Sequence, residues 1–422
     1  MSKVTDAAAS VTAPSRVLHS TYAAVGMFGL LLVAYTINAM DRQVFPVLLV
    51  NVRSDFGFSA TQAGLQSTIF ALGIGVLGLP AGWLIDRLSR KGIVVVGTLV
   101  FSAATALTTV SVGFWDMTLW RVLSGVGESL QFTALLAIAA TAFPARRGLA
   151  IGTVNICFAL GALIGPAWGG ALLTQTGQWR VPEILFAVLG GIAAVAIAIF
   201  VRPWLTERRV QETDTTTIVG GSNTLLNRNT IVLIIMTVIG GLVDFGFLGM
   251  YATFVRTFHH YTPTEAGVVM GIAGAGALLS FFGGHLGDKY SPRVVLSSAF
   301  ALTGIAGAAL FLGPGDFAWQ APFALLFGIS FSAGAFVMLA GFLVKSVSVK
   351  RTGIASGIFV TSIYIPAAFA GFILSSLAQS MSWAAAGLIQ IVLGCVLGLL
   401  LAFLLRPSEF STVSIAEPVV VE

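Results

Sequence analysis

Gly82-Trp-Leu-Ile-Asp86-Arg87-Leu-Ser-Arg90-Lys91 separates two long apolar runs, and Gly284-His-Leu-Gly-Asp288-Lys289-Tyr-Ser-Pro-Arg293 separates two more, 202 positions later. Ala145-Arg-Arg147-Gly148-Leu-Ala-Ile-Gly152 returns at nearly the same interval as Val349-Lys-Arg351-Thr-Gly353-Ile-Ala-Ser-Gly357, and Asp41 returns as Asp244. A near-constant offset at three places marks a chain built twice. Two parallel repeats in an apolar chain describe a carrier whose central cavity opens alternately to each side.

The apolar runs set the class. The chain is 57% hydrophobic and 9% charged over 422 residues, with mean hydropathy +0.95. A soluble domain carries roughly 25% charged residues, so lipid must cover most of this surface. Its 48 glycines fit helices that pack closely in lipid. A span needs about 20 apolar residues. Runs of that length begin near Tyr22, Thr61, Gly92, Trp115, Arg147, Val181, Asn229, Pro263, Pro292, Phe317, Thr352 and Trp383. They are too long and too continuous for barrel strands. The expected fold is an all-α membrane protein with twelve transmembrane helices in two six-helix pseudo-repeat bundles. The bundles occupy residues 20–205 and 229–406, joined by a polar linker at 206–228. Residues 1–19 and 407–422 read as disordered tails. The first run lacks the short apolar core and small-residue cleavage site of a signal peptide, so it reads as a retained helix.

Basic residues set the orientation. With the N-terminus in the cytoplasm, only Arg42, Arg53, Arg121, Arg180 and Arg256 of the 22 Lys and Arg fall outside the tails and the cytoplasmic side. The positive-inside rule therefore places both termini in the cytoplasm, in a multi-pass protein of the cell inner membrane. This distribution also accounts for the net charge of +5 without a nucleic-acid partner. Cys157 and Cys395 sit inside apolar runs and show no disulfide or metal spacing. His19, His259, His260 and His285 do not converge, and no nucleotide loop or Ser/His/Asp set appears. An enzyme, a cofactor and a metal site are not expected. The expected partners are the lipid bilayer, a small-molecule substrate and a proton, with the chain as a monomer.

The repeat, the linker and the loop at 82–91 resemble the major facilitator superfamily over nearly the whole chain. Segment 82–91 is similar to that family's signature between helices 2 and 3. Arg121-Val-Leu-Ser-Gly125-Val-Gly127-Glu128 resembles its helix-4 motif, and Gly161-Ala-Leu-Ile-Gly165-Pro166-Ala-Trp-Gly169-Gly170 its helix-5 motif. The second loop departs from the pattern at Pro292, where a basic residue is usual. Asn38-Ala-Met-Asp41-Arg42 together with Gly125-Val-Gly127-Glu128 is similar to the anion:cation symporters and the Spinster-like lipid transporters. Gly113-Phe-Trp-Asp116 resembles the latter. The resemblance implies that helices 1, 4, 7 and 10 line the cavity.

Five ionisable residues fall deep inside spans: Asp41 and Arg42 in helix 1, Arg121 and Glu128 in helix 4, and Asp244 in helix 7. A charge at the bilayer centre costs about 2.5–3.5 kcal/mol on insertion scales, so each needs a partner or water. Arg121 and Glu128 lie seven apart, on one helix face and about 10 Å apart along the axis. Depth then pairs Asp41 with Arg121 and Arg42 with Glu128. Low dielectric favours the neutral form of a carboxyl and a neighbouring Arg opposes this. Glu128, and secondarily Asp41, are therefore the expected proton-coupling residues. Arg42 and Arg121 offer planar forks for a substrate carboxylate. Asp244, Tyr35, Asn38, Gln131, Phe132, Asn155, Tyr251 and Tyr364 complete the candidate substrate-binding set, with ordinary helix packing as the rival role for the uncharged ones. Asp86, Arg87, Arg90, Lys91 and Asp288 form the candidate cytoplasmic gate.

Two functional readings follow. The first is proton-coupled uptake of a small organic anion, a carboxylate or sugar acid, and it rests on the arginines beside protonatable acids. The second is export of amphipathic compounds, lysolipid or drug, by proton antiport. It is implied by the helix-5 motif and the Spinster-like features.

Overall fold

The computed structural model describes residues 21–143, 146–207, 217–219, 221–348 and 351–414. Among these residues twelve helices are long and apolar enough to cross a membrane. The first six are α1 (Thr21–Phe56), α2 (Ala60–Thr68 continuing as Phe70–Arg87), α3 (Arg90–Thr109), α4 (Phe114–Ala142), α5 (Arg147–Thr176) and α6 (Arg180–Phe200). The second six begin with α7 (Arg228–Thr257) and α8 (Pro263–Ala275, a tighter turn over Gly276–Leu279, then Ser280–Lys289). Next come α9 (Pro292–Leu312) and α10, which is Phe317–Gly328 and Val337–Lys345 around a π-helical segment at Ile329–Phe336. Last are α11 (Thr352–Ala367 and Ala370–Ser380) and α12 (Trp383–Ala386, a π-helical Gly387–Val392, and Leu393–Ala402).

Local chemistry sets the ends of these helices. Ser59 and Thr262 cap α2 and α8 with reciprocal bonds to Gln62 and Glu265, each answering donors that a helix start leaves open. Gly177 ends α5 in a left-handed conformation at φ 68°, which a side chain would disfavour. Pro366 lies just before the break in α11, and its missing N–H explains the kink there.

Short elements occur in the described parts around the linker and the C-terminal tail. Pro203–Thr206 forms a helical turn, and Pro407–Glu409 a 3-10 turn. Thr217–Val219 pairs antiparallel with Thr412–Ser414, Thr217 opposite Ser414. Backbone groups at the membrane edge find partners in each other. Residues 1–20, 208–216, 220 and 415–422, including all of the expected N-terminal tail and half of the C-terminal one, lie outside the described residues.

The bundles meet along α1 with α7, α2 with α11, and α5 with α8. Glycine makes the third contact possible. A Cβ on Gly170 would collide with the Pro263 carbonyl, and one on Gly267 with the Pro166 carbonyl. At the second contact the Thr68 hydroxyl donates to the Ala368 carbonyl at 2.9 Å and accepts from the Gly371 N–H at 3.2 Å, so the breaks in α2 and α11 touch. Helix count puts both ends of the described chain on one side of the bundle. Away from that side, one core runs from the second bundle into the first through Val44, Phe45, Leu48, Val52, Leu173 and Trp179. On the termini side, Phe28, Leu31, Ile93, Leu135 and Ile197 form a separate core. The bundles are thus fused on the far side and parted by a cavity towards the termini.

Candidate functional site

Arg42 on α1 and Glu128 on α4 form an ion pair, Nη1 to Oε1 2.6 Å, with side chains 9% and 7% exposed. Four rings surround the guanidinium: Phe70 at 5.3 Å, Phe158 at 5.4 Å, and Phe245 and Tyr364 at 5.5 Å from their centroids. Phe70 and Phe158 belong to the first bundle, Phe245 and Tyr364 to the second. Ring faces attract a cation, more so when it is desolvated, so both halves hold one charge between them.

Two linked chambers flank Arg42. One of about 300 Å³ is lined by Tyr35, Glu128, Phe132, Phe336, Phe359 and Tyr364 among others. The other, about 250 Å³, takes in Gln43, Asp244, Phe245, Ser280, Ser332 and Phe336. Arg42, Asn155, Phe158 and Tyr364 line both. The π-helical part of α10 supplies Ser332 and Phe336; such bulges often mark functional positions. Of the residues singled out in the sequence, the cavity therefore gathers Arg42, Glu128, Tyr35, Phe132, Asn155, Asp244 and Tyr364. Tyr35 stacks on Phe132 with centroids 5.5 Å apart.

The other candidates lie elsewhere. The expected Asp41–Arg121 pair does not form. Asp41 instead accepts from the Thr105 hydroxyl of α3 at 2.9 Å, while Arg121 Nε donates to the Gln66 carbonyl at 3.3 Å and its guanidinium lies 3.7 Å from the Phe45 centroid. Successive helix residues point about 100° apart. With Arg42 turned into the cavity, Asp41 must face the interior of its own bundle. Neither Asp41 nor Arg121 lines the cavity. Tyr251 does not either: its hydroxyl donates to Gln320 at 2.6 Å and its ring stacks on Phe247 at 4.6 Å. It lies two turns, about 10 Å, beyond Asp244, where α10 closes against α7. Asn38 and Gln131 are buried inside the first bundle, and their amides have no hydrogen-bond partner among the described residues.

Four of the candidate gate residues make contacts within their own bundles. Arg87 lies over Trp83 at 4.3 Å, Arg90 donates to Thr141 at 3.0 Å, and Lys91 donates to the Ala198 carbonyl at 2.8 Å. Asp288 pairs with Lys345 at 2.6 Å. The Asp86 side chain lies outside the described residues. On the far side, Arg256 of α7 crosses to α1, donating to the Val47 carbonyl at 2.6 Å and to Asn51 Oδ1 at 2.8 Å.

Sequence reasoning named Tyr364 but missed the other three rings, Phe70, Phe158 and Phe245, together with Thr105, Arg256 and Glu183. Nothing distinguishes those three among 31 phenylalanines. Glu183 did carry a signal, as an acid inside an apolar run, although an acid in the first turn of a helix, where α6 has it, is commonplace. Among the described residues no three His, Cys, Asp or Glu side chains converge on a metal-sized site.

The chain is 25% identical over 354 residues to the cis,cis-muconate transport protein of Acinetobacter baylyi, covering 78% of this chain and 82% of that protein. It is 28% identical over 166 residues to the probable anion transporter 6, chloroplastic, of Arabidopsis thaliana, and 28% over 202 residues to the sphingosine-1-phosphate transporter SPNS2 of Xenopus tropicalis. These two matches cover 39% and 47% of this chain but only 32% and 39% of the relatives' length. In structure it resembles a bacterial homolog of the human lysosomal transporter Spinster, with a TM-score of 0.76 at 17% identity, covering 92% of this chain and 97% of that one. The nucleoside transporter NupG gives 0.69 at 12% identity over 90% and 98%. The profile of the Major Facilitator Superfamily matches residues 31–371 and 233–418, and the chain accordingly belongs to that superfamily, as a multi-pass membrane transporter and not an enzyme.

Proposed function

We propose that the protein couples proton entry to uptake of a small organic anion, a carboxylate or sugar acid, by alternating access. The observation that carries this reading is the Arg42–Glu128 pair inside a ring of aromatic faces drawn from both bundles. One guanidinium faces one carboxylate. A substrate carboxylate reaching Arg42 must compete with Glu128, and protonating Glu128 removes the competitor. Proton and anion therefore bind together, which is the requirement for symport. Arg42 stays charged throughout, and its planar fork suits a carboxylate. Asp41 is a secondary proton carrier, separated from the cavity by one helix face. The basic residues on the termini side support an opening towards the cytoplasm, in an inner membrane. The named substrate of the similar Acinetobacter baylyi protein, cis,cis-muconate, is an organic acid and supports the class.

One observation favours export of amphipathic compounds. Phe132, Phe158, Phe336, Phe359 and Val360 make the larger chamber mostly apolar, and Asp244 adds an acid at the other end. Proteoliposomes holding the purified protein, given an imposed inward proton gradient, separate the readings. Accumulation of a labelled sugar acid or dicarboxylate that collapses with a protonophore is expected. Gradient-driven movement of a lysolipid in the opposite direction, with no acid uptake, would reverse the assignment.

A further inference from the structure

Glu183 is an anomaly in the first bundle. It is 0% exposed, and neither carboxyl oxygen has a hydrogen-bond partner among the described residues. It stands within electrostatic reach of two other buried ions, Asp41 and Arg121. Asp41 is 2% exposed and Arg121 3% exposed, and among the described residues Asp41 Oδ1 and Arg121 Nη2 have no hydrogen-bond partner. Helices α1, α3 and α5 pack on α6, and α4 supplies Arg121. Asp41 is the charged group that α1 turns towards Glu183, and the neutral Thr105 comes from α3. On α6 itself, Arg180 is engaged with Asp55 at 2.7 Å at the surface.

Two acids therefore share one guanidinium in a buried place. Arg121 remains charged. Were both acids ionised, one negative charge would be left buried without a partner, which a protein interior does not tolerate cheaply. One proton removes the excess. Its location follows from Thr105, whose hydroxyl donates to Asp41 Oδ2 and so marks Asp41 as the carboxylate. Glu183, which receives no donor, is left as the neutral acid.

We infer that Glu183, Asp41 and Arg121 form a second proton-binding site, separate from the Arg42–Glu128 pair, in which Glu183 holds the proton in this conformation. A small rotation of the Arg121 guanidinium towards Glu183 would ionise Glu183 and pass the neutral state to Asp41, so the site exchanges its proton as α1, α4 and α6 shift. This deepens the symport reading, which rests on Glu128 and gives Asp41 a secondary part, by adding Glu183. It gives the carrier a proton store out of the substrate's reach.

The test is infrared difference spectroscopy on purified, substrate-free protein at neutral pH. Comparing wild type with Glu183→Gln should remove a neutral carboxylic C=O stretch and leave the carboxylate bands unchanged. Loss of a carboxylate band instead means that Glu183 is ionised, and the inference fails. Asp41→Asn should also abolish the Glu183 acid band, because Arg121 then serves Glu183 alone; persistence of that band overturns the sharing. If the Gln variant does not yield folded protein, Glu183→Asp retains the acid, and the same C=O stretch must shift rather than vanish. No transport is measured, so failure of the uptake assay and failure of this assignment are read separately.

Discussion

Arg42 donates to Glu128 across 2.6 Å, and both residues belong to the first bundle, yet half of the rings that hold the guanidinium come from the second. The pair is therefore sensitive to the relative position of the bundles although its own two helices need not move apart.

Glu128→Gln removes the competitor for Arg42 without changing its size. Breaking a buried pair costs about 3 kcal/mol, part of which the four rings offset at roughly 0.5–2 kcal/mol each. The variant should unfold at a lower temperature than wild type, bind organic acid at least as tightly, and lose accumulation driven by a proton gradient while keeping anion exchange. Thermal-shift binding beside proteoliposome uptake checks all three. Undiminished gradient-driven uptake would remove Glu128 from the mechanism.

Arg42→Lys keeps the charge but replaces a flat, delocalised group with a compact ammonium that cannot face four rings and a carboxylate at once. The expected outcome is half-saturation at about tenfold higher anion concentration, equivalent to about 1.4 kcal/mol, measured by initial uptake rates over a concentration series.

Gly267→Val acts on the opposite mouth. Any side chain there meets the Pro166 carbonyl and pushes α8 away from α5. Paired spin labels placed on the far-side ends of these helices should show a longer mean distance than in the parent protein. Arg256→Ala should move the same distance in the same direction. It deletes two bonds to α1, each worth about 1.5–3 kcal/mol for a charged donor.

Glu207 gives a pH-dependent stability term outside the membrane. Its carboxylate accepts from the Ser89 hydroxyl at 2.9 Å and from the Lys91 and Arg90 N–H groups at 3.1 and 3.2 Å, at the start of α3. Burial pushes this carboxyl up, but the backbone and hydroxyl donors together outweigh burial and hold it below its usual range. A lowered folded value contributes stability above the unfolded value of about 4.3 and loses it as pH falls through the folded one. Glu207→Gln should cost about 1 kcal/mol at neutral pH and nothing once the wild-type carboxyl is protonated. Unfolding midpoints of both proteins across an acid series should therefore converge.

The twelve spans were legible because span length is imposed by lipid, and the starts at Thr61, Gly92 and Trp115 fall within two residues of the observed helices. The Arg42–Glu128 pairing was legible from depth alone. The partner of Asp41 was not, because adjacent residues point to different neighbours and only the packed bundle reveals which one turns inward. Tyr251 failed for a related reason: a helix face can be read from spacing, but where a cavity stops along that face cannot. The aromatic enclosure of Arg42 draws on α2, α5, α7 and α11, whose mutual approach leaves no mark in local sequence.

The ion pairs Arg42–Glu128, Arg180–Asp55, Lys345–Asp288 and Arg406–Glu409 each lie within one half or the other. What joins the halves is a fused greasy core, glycine-backed helix contacts, and bonds to uncharged oxygens such as those of Val47, Asn51 and Ala368. Dissolved electrolyte weakens attraction between opposite charges far more than contacts of these kinds. The balance between the two open forms should accordingly be almost indifferent to ionic strength, and a potassium chloride titration that shifts it would point to a charged bridge forming only in the other form.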